Sequence, residues 1–155
     1  MKALLDTNII IHRESNRILN RDIGILFKWL DKGKYAKYIH PITIAELCKN
    51  SNKETLDVIS VKLESYQTLK TIAPLAEEVV AVASQYDSTP NDDNDTILLN
   101  EVFSDRVDLL ISEDKKIHYK AKLLNISEKI FTPEAPNRNE KYVAKSPFIT
   151  YFIEQ

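Results

Sequence analysis

The sequence predicts an α/β fold: a three-layer sandwich with a central, mainly parallel sheet flanked by helices. Three observations predict it. Short apolar runs alternate with segments of helical period along most of the chain, the pattern of strand–helix–strand units. The short runs are nearly all apolar, as in strands buried on both faces. At 155 residues, 43% hydrophobic and 28% charged, the chain suits one domain with a substantial core.

Each element has its own signal. "KALLD" (2–6) reads as a short buried strand ending at Asp6. "RDIGILFKWLDKG" (21–33) reads as a helix, with Ile23, Leu26, Phe27 and Leu30 on one face and Gly33 as its stop. "YAKYIH" (35–40) is a second strand, and Pro41 starts the helix of "ITIAELCKN" (42–50). "KETLDVISVKLESY" (53–66) is helical, with Leu56, Ile59 and Leu63 in phase, and "LKTIAP" (69–74) reads as a strand. "LAEEVVAVASQY" (75–86) is helical, "DSTPNDDND" (87–95) reads as a polar loop, and "DTILLNEVF" (95–103) resumes helical spacing. "DLLIS" (108–112), "EDKKIHYKAKLLN" (113–125) and "KIFT" (129–132) complete the alternation as strand, helix and strand. The remainder, 133–155, is a polar segment leading into an apolar periodic one, expected to be either a docking C-terminal helix or the approach to a further domain.

Composition narrows the function. No apolar run approaches the ~20 residues of a membrane span, and Asp6 interrupts the N-terminal apolar stretch too early for a signal peptide. The single cysteine, Cys48, excludes an intramolecular disulfide and fits a cytoplasmic protein. With three scattered histidines, His12, His40 and His118, it gives no zinc spacing. Cys48, one turn from Ile44, is expected in the core, Trp29 is expected to pack beside Leu26 and Leu30, and His40 is expected to be structural. Two glycines, Gly24 and Gly33, rule out GxGxxG and Walker-A phosphate loops. A net charge of −2 does not itself mark a nucleic-acid binder, although bound divalent cations offset acidic groups locally.

The acids carry the chemistry. Burying a lone carboxylate in an apolar run is costly unless a cation or hydrogen bonds compensate, so Asp6 either caps a turn or faces something charged. In open α/β sheets, ligands bind beyond the carboxyl ends of the strands. Asp6 ends the first strand, Asp114 follows the "LLIS" strand, and Glu46 lies in the helix fed by the second. Among Asp92, Asp93 and Asp95, helix phase favours Asp95, which precedes Leu98, Leu99 and Val102 by three, four and seven residues. Asp92 and Asp93 are expected to cap that helix or face water. Singly, each favoured acid also reads as a cap, a turn residue or a solvated helix position; only the set points to a site. Thr7 and Asn8 beside Asp6, and Ser112 before Asp114, suit hydrogen bonding to it.

Taken together, "LLDTNIII", "ITIAELCK", "NDTILLNEVF" and "LLISEDKKI" resemble the four motifs of PIN-domain ribonucleases, in that family's order, over roughly residues 1–132. The resemblance implies a PIN-like nuclease domain over 1–132, with 133–155 as an extension. It places Asp6, Glu46, Asp95 and Asp114 as the catalytic and metal-binding acidic quartet, with Thr7, Asn8 and Ser112 as supporting polar positions. One departure is visible: many members carry another acid three residues after the last motif aspartate, where this chain has Ile117.

Hard carboxylate oxygens select Mg²⁺ or Mn²⁺, and such an ion would serve hydrolysis of a phosphodiester. Lys115, Lys116, His118, Lys120 and Lys122 after Asp114, and Arg13, Arg17 and Arg21 after the first motif, are candidates for phosphate contacts or else solvated helix surface. Arg13, Lys115 and Lys116 are the substrate-binding candidates. The resulting expectation is a metal-dependent ribonuclease acting on single-stranded RNA, with an antitoxin protein and a homodimer as partners the resemblance allows and with no membrane association. A catalytically weak PIN-like binding module within a larger protein or toxin–antitoxin complex is the alternative. A phosphoryl acceptor at Asp6 is a third reading, but one such class wants a second Asp where this chain has Asn8.

Overall fold

The computed structural model describes residues 1–14, 21–50 and 52–134. Arg17 and residues 135–155 of the C-terminal extension lie outside that range. Five strands, β1 (Lys2–Leu5), β2 (Ala36–Ile39), β3 (Gln67–Thr68), β4 (Leu109–Ile111) and β5 (Ile130–Phe131), form an all-parallel sheet in the order β3-β2-β1-β4-β5. Between them run α1 (Thr7–Glu14), α2 (Arg21–Lys32), α3 (Pro41–Asn50), α4 (Lys53–Leu63), α5 (Glu77–Tyr86), α6 (Pro90–Phe103) and α7 (Lys115–Leu123).

Two hydrophobic layers hold helices to the two faces of the sheet. Ala3, Leu5, Leu109 and Ile111 point to one face and meet Ile9 and Ile10 of α1, Leu26 and Leu30 of α2, Leu47 of α3 and Ile59 of α4. Leu4, Leu110 and Ile130 point to the other and meet Val79 of α5, Leu98, Leu99 and Val102 of α6, and Ile117 and Ala121 of α7. The strict alternation along β1 and β4 follows from the two-residue period of a strand. Helices on both faces make it three-layered, and the two central strands are apolar apart from the exposed Lys2 that opens β1.

Gly33 follows α2 because a side chain there would meet the Tyr35 ring: a Cβ would stand 2.7 Å from it. Trp29 lies stacked on that same ring, at 5.3 Å between centroids.

Three local expectations are corrected. The segment 87–95 is not a continuous loop, because α6 begins at Pro90. Thr89 is its N-cap and Asp92 completes a capping box: the Asp92 amide donates to Thr89 Oγ1 at 3.2 Å, and the Thr89 amide donates back to Asp92 Oδ2 at 3.1 Å. Pro90, which lacks an amide hydrogen, sits in the first turn, where none is needed.

The strand expected at 69–74 is instead β3 at Gln67–Thr68. Beyond Leu69 the backbone donors turn to α6: the Ala73 amide donates to Glu101 Oε1 at 3.0 Å and the Ala76 amide to Asn100 Oδ1 at 3.1 Å. Glu101 is buried, and it also accepts from His40 Nε2 at 3.0 Å while Arg106 stands 3.3 Å from its other oxygen. His40 Nδ1 accepts from the Ile42 amide, so Nε2 carries the proton, and burial holds the ring below its ordinary pKa.

Cys48 is exposed. The buried stripe of α3 runs through Thr43 and Leu47, one turn apart, and Cys48 lies one position past it.

Among the described residues, no helix is long and apolar enough to cross a membrane.

Candidate functional site

Strand order reverses at β1, which has β2 on one side and β4 on the other. The crevice beyond the carboxyl ends of β1 and β4 is therefore a topological switch point, where open α/β sheets bind ligands. Asp6 and Ser112–Asp114 leave the sheet there, and α3 and α6 bring Glu46 and Asp95 toward them.

Asp6 is only 6% exposed. Its carbonyl accepts from the Ile9 and Ile10 amides, so it does start α1, as the cap reading requires. Its side chain is held at both oxygens: Oδ1 accepts from the Thr7 amide at 2.7 Å and Oδ2 accepts from Ser112 Oγ at 2.7 Å. Ser112 Oγ also accepts from the Asp114 amide at 3.1 Å, tying the two aspartates to one hydroxyl. Asp114 caps α7 through Oδ1, which accepts from the Lys116 amide at 2.7 Å and the Ile117 amide at 3.3 Å. On the other flank, Thr7 Oγ1 donates to Glu46 Oε2 at 3.2 Å.

Burial pushes the Asp6 carboxyl above the usual range against the Ser112 and Thr7 hydrogen bonds, and the charges of Asp114 and Glu113 push the same way. Burial likewise raises Glu46, where hydrogen bonds from Thr7 and Asn94 oppose the shift and Asp6 adds to it. The Asp95 carboxyl is pushed up to about 8, first by burial and then by Asp6 and Asp114, with Glu46 adding less; Lys120 alone pulls it down. Four carboxyl groups from four elements thus act on one another in one crevice.

Asp92 and Asp93 behave differently. Asp92 is buried in the cap of α6, and its carboxyl is held well below the usual range by the Ser88 amide and by Lys116. Asp93 is exposed.

The other candidates divide. Thr7 and Ser112 touch the acids directly. Asn8 is exposed on α1. The Arg13 guanidinium lies over the Phe27 ring at 4.7 Å, a cation–π contact. Lys116 Nζ is 3.0 Å from Asp92 Oδ1, and Lys115 is exposed in the first turn of α7. Lys120, a helix-surface candidate by sequence, is 2% exposed and pairs with Asp87 at 2.8 Å.

Two participants escaped the sequence reading, and a third, Lys120, was read as a phosphate contact or solvated surface rather than a buried cation. Glu113 stands 3.8 Å from His12 and acts electrostatically on Asp6. Asn94 acts to lower the Glu46 carboxyl. Lys120 is the buried cation facing Asp95. Only Asn94 had a usable signal, its place immediately before Asp95, where the helical spacing begins.

The donor set is all oxygen and strongly self-repelling, which suits a hard divalent cation. Among the described residues, no three of the His, Cys, Asp and Glu side chains stand close enough together to clasp an ion as placed. No protein-family model matches the chain, and no curated protein matches it.

Proposed function

We propose that the protein is a metal-dependent ribonuclease that hydrolyses phosphodiester bonds of single-stranded RNA. The observation that carries this reading is the convergence of Asp6, Glu46, Asp95 and Asp114 at the sheet's switch point, with Asp95 pushed up to about 8 by burial and its neighbours. Carboxylates gathered for structure alone are expected to find cationic or hydrogen-bonding partners that lower their pKa, as Asp92 does.

A bound Mg²⁺ or Mn²⁺ would supply an activated water and neutralise charge on the phosphodiester. The chain's residues do the rest. Ser112 and the Thr7 amide fix both oxygens of Asp6, and Thr7 Oγ1 fixes Glu46, so the carboxylates are oriented before substrate arrives. Asp95, pushed up to about 8, favours its protonated form near neutral pH, and with Asp6, Glu46 and Asp114 it would hold the cation as a carboxylate. In the net reaction the water oxygen bonds to phosphorus, one ester P–O bond breaks, and the departing oxygen takes a proton. Under this reading an antitoxin protein and a second copy of the chain are candidate partners, and the cytoplasm the candidate compartment.

A second reading is a catalytically weak binding module within a larger protein or toxin–antitoxin complex. The observation favouring it is Ile117, fully buried where the resembling family often has a further acid. One experiment separates the two: incubation of a mixed RNA pool with Mn²⁺, with EDTA and with Asp6→Asn protein. Cleavage lost in both controls supports the nuclease; RNA retained but uncut supports the module.

A further inference from the structure

Two tyrosines outside the acidic crevice stand on the surface in contact with each other. Tyr86, the last residue of α5, and Tyr119, on α7, are 41% and 49% exposed. Their centroids are 5.3 Å apart with an interplanar angle of 83°. This edge-to-face arrangement leaves at least one face of each ring uncovered by the other. The next residues along, Asp87 and Lys120, form the buried 2.8 Å ion pair, so the helices carrying the two rings are clamped directly beneath them.

The charge around the rings has one sign on α7. Its sequence, KKIHYKAKL, holds four lysines and no acid. Lys120 is buried and Lys116 is paired with Asp92, leaving Lys115 and Lys122 exposed. Those two lie four residues before and three after Tyr119, on its own face of the helix. The helix begins at Asp114 in the acidic crevice. Tyr119 lies five residues along, about 7.5 Å of helical rise or roughly two stacked nucleotide steps of ~3.4 Å. Aromatic faces interleaved with lysines are how proteins hold single strands without reading sequence.

We infer that Tyr86 and Tyr119, flanked by Lys115 and Lys122, form a base-stacking platform that binds single-stranded RNA beside the acidic crevice. The inference rests on the ribonuclease reading only for the identity of the ligand. Bases stack on the open ring faces, and the two lysines take the phosphates on either side.

The test is fluorescence anisotropy with a labelled ten-nucleotide single-stranded RNA in EDTA, where no cleavage intervenes. Tyr119→Ala and Tyr86→Ala should each weaken binding about tenfold, and Tyr119→Phe should stay within about twofold of wild type. An abasic strand of equal length should lose at least that factor on wild-type protein. Replacing Lys115 and Lys122 by Gln should flatten the dependence of log K on log salt by about 1.4. Thermal melts of each variant guard against misfolding. No binding by wild-type protein, unchanged affinity in Tyr119→Ala, or equal binding of the abasic strand each overturns the platform; unchanged affinity in Tyr119→Ala leaves the face to a protein partner. Because the readout is binding without metal, an absence of nuclease activity does not touch it. Conversely, metal-dependent cleavage alongside unchanged Tyr119→Ala affinity removes the platform and spares the nuclease.

Discussion

Ser112 Oγ donates a 2.7 Å hydrogen bond to Asp6 Oδ2 across 106 residues of sequence, and the same oxygen accepts from the Asp114 amide at 3.1 Å. One hydroxyl therefore sets the spacing of two candidate ligands. Ser112→Ala leaves Asp6 with one fewer donor and the Asp114 amide without its acceptor. The expected loss is about 1–3 kcal/mol of stability at neutral pH, measured by urea unfolding, with a smaller stabilisation by Mn²⁺ than in wild type. An unchanged Mn²⁺ response would show that the hydroxyl does not organise the site.

The raised carboxyls predict a pH dependence of definite sign. Asp6, Glu46 and Asp95 all bind protons more tightly folded than unfolded. For Asp95 the favourable contribution is complete below its ordinary value of 3.8 and is lost as pH rises through about 8. Above 6.5, the ordinary imidazole value below which the lowered His40 opposes the trend, metal-free protein should therefore melt at progressively lower temperature up to about pH 8, and Asp95→Asn should flatten the slope. Saturating Mn²⁺ should flatten it too and stabilise by about 2.7 kcal/mol at a hundredfold excess over Kd. Calorimetry across the pH series, with EDTA and with Mn²⁺, measures both effects; a slope of the opposite sign would contradict the electrostatics of the crevice.

Asp95, rather than its neighbours Asp92 and Asp93, should carry activity. Asp95→Asn is expected to abolish RNA cleavage. Asp92→Asn and Asp93→Asn should retain most of it, each losing about 0.5–2 kcal/mol of stability at most, the worth of a cap. Cleavage assays on the three variants decide the matter, and an active Asp95→Asn beside a dead Asp92→Asn would reverse the assignment.

Lys120 makes a structural prediction independent of activity. Its ammonium bonds Asp87 Oδ1 at 2.8 Å and Thr96 Oγ1 at 2.9 Å, and Thr96 bonds Asp87 in turn. Lys120→Met strands a buried carboxylate and should destabilise by about 3–5 kcal/mol, whereas pairing it with Asp87→Leu should recover much of the loss. Denaturant midpoints of the single and double variants test this.

The central strands were legible because burial on both faces leaves an apolar run that little else produces. α6 was not, since Thr89, Pro90, Asn91, Asp92 and Asp93 have the composition of a loop. Yet Thr-Pro-x-Asp is also a helix start, and the capping box shows which reading prevails. The apolar "LKTIAP" misled because Leu69 and Ala73 are buried by packing while the backbone donors of Ala73 and Ala76 belong to α6 side chains. Helix phase placed Asp95 toward the sheet from local sequence alone. Lys120 was illegible, because its partner Asp87 lies 33 residues away and only the docking of α5, α6 and α7 brings them together.

The place of β4 in the sheet also fixes an order of events on the ribosome. β1 pairs with β2 at Lys2↔Ala36, but its other neighbour arrives only with Leu109, opposite Ala3. At ~5–20 residues per second, about 5–20 s of synthesis separate the first strand from the partner that covers its second edge. Throughout that interval Ala3, Leu4 and Leu5 present an unpaired apolar edge, which a nascent chain must shield or risk pairing wrongly. Ser112 and Asp114 arrive just after the same strand. A chain still being translated therefore carries Asp6 without the hydroxyl that holds it, and the crevice takes shape only as the sheet closes.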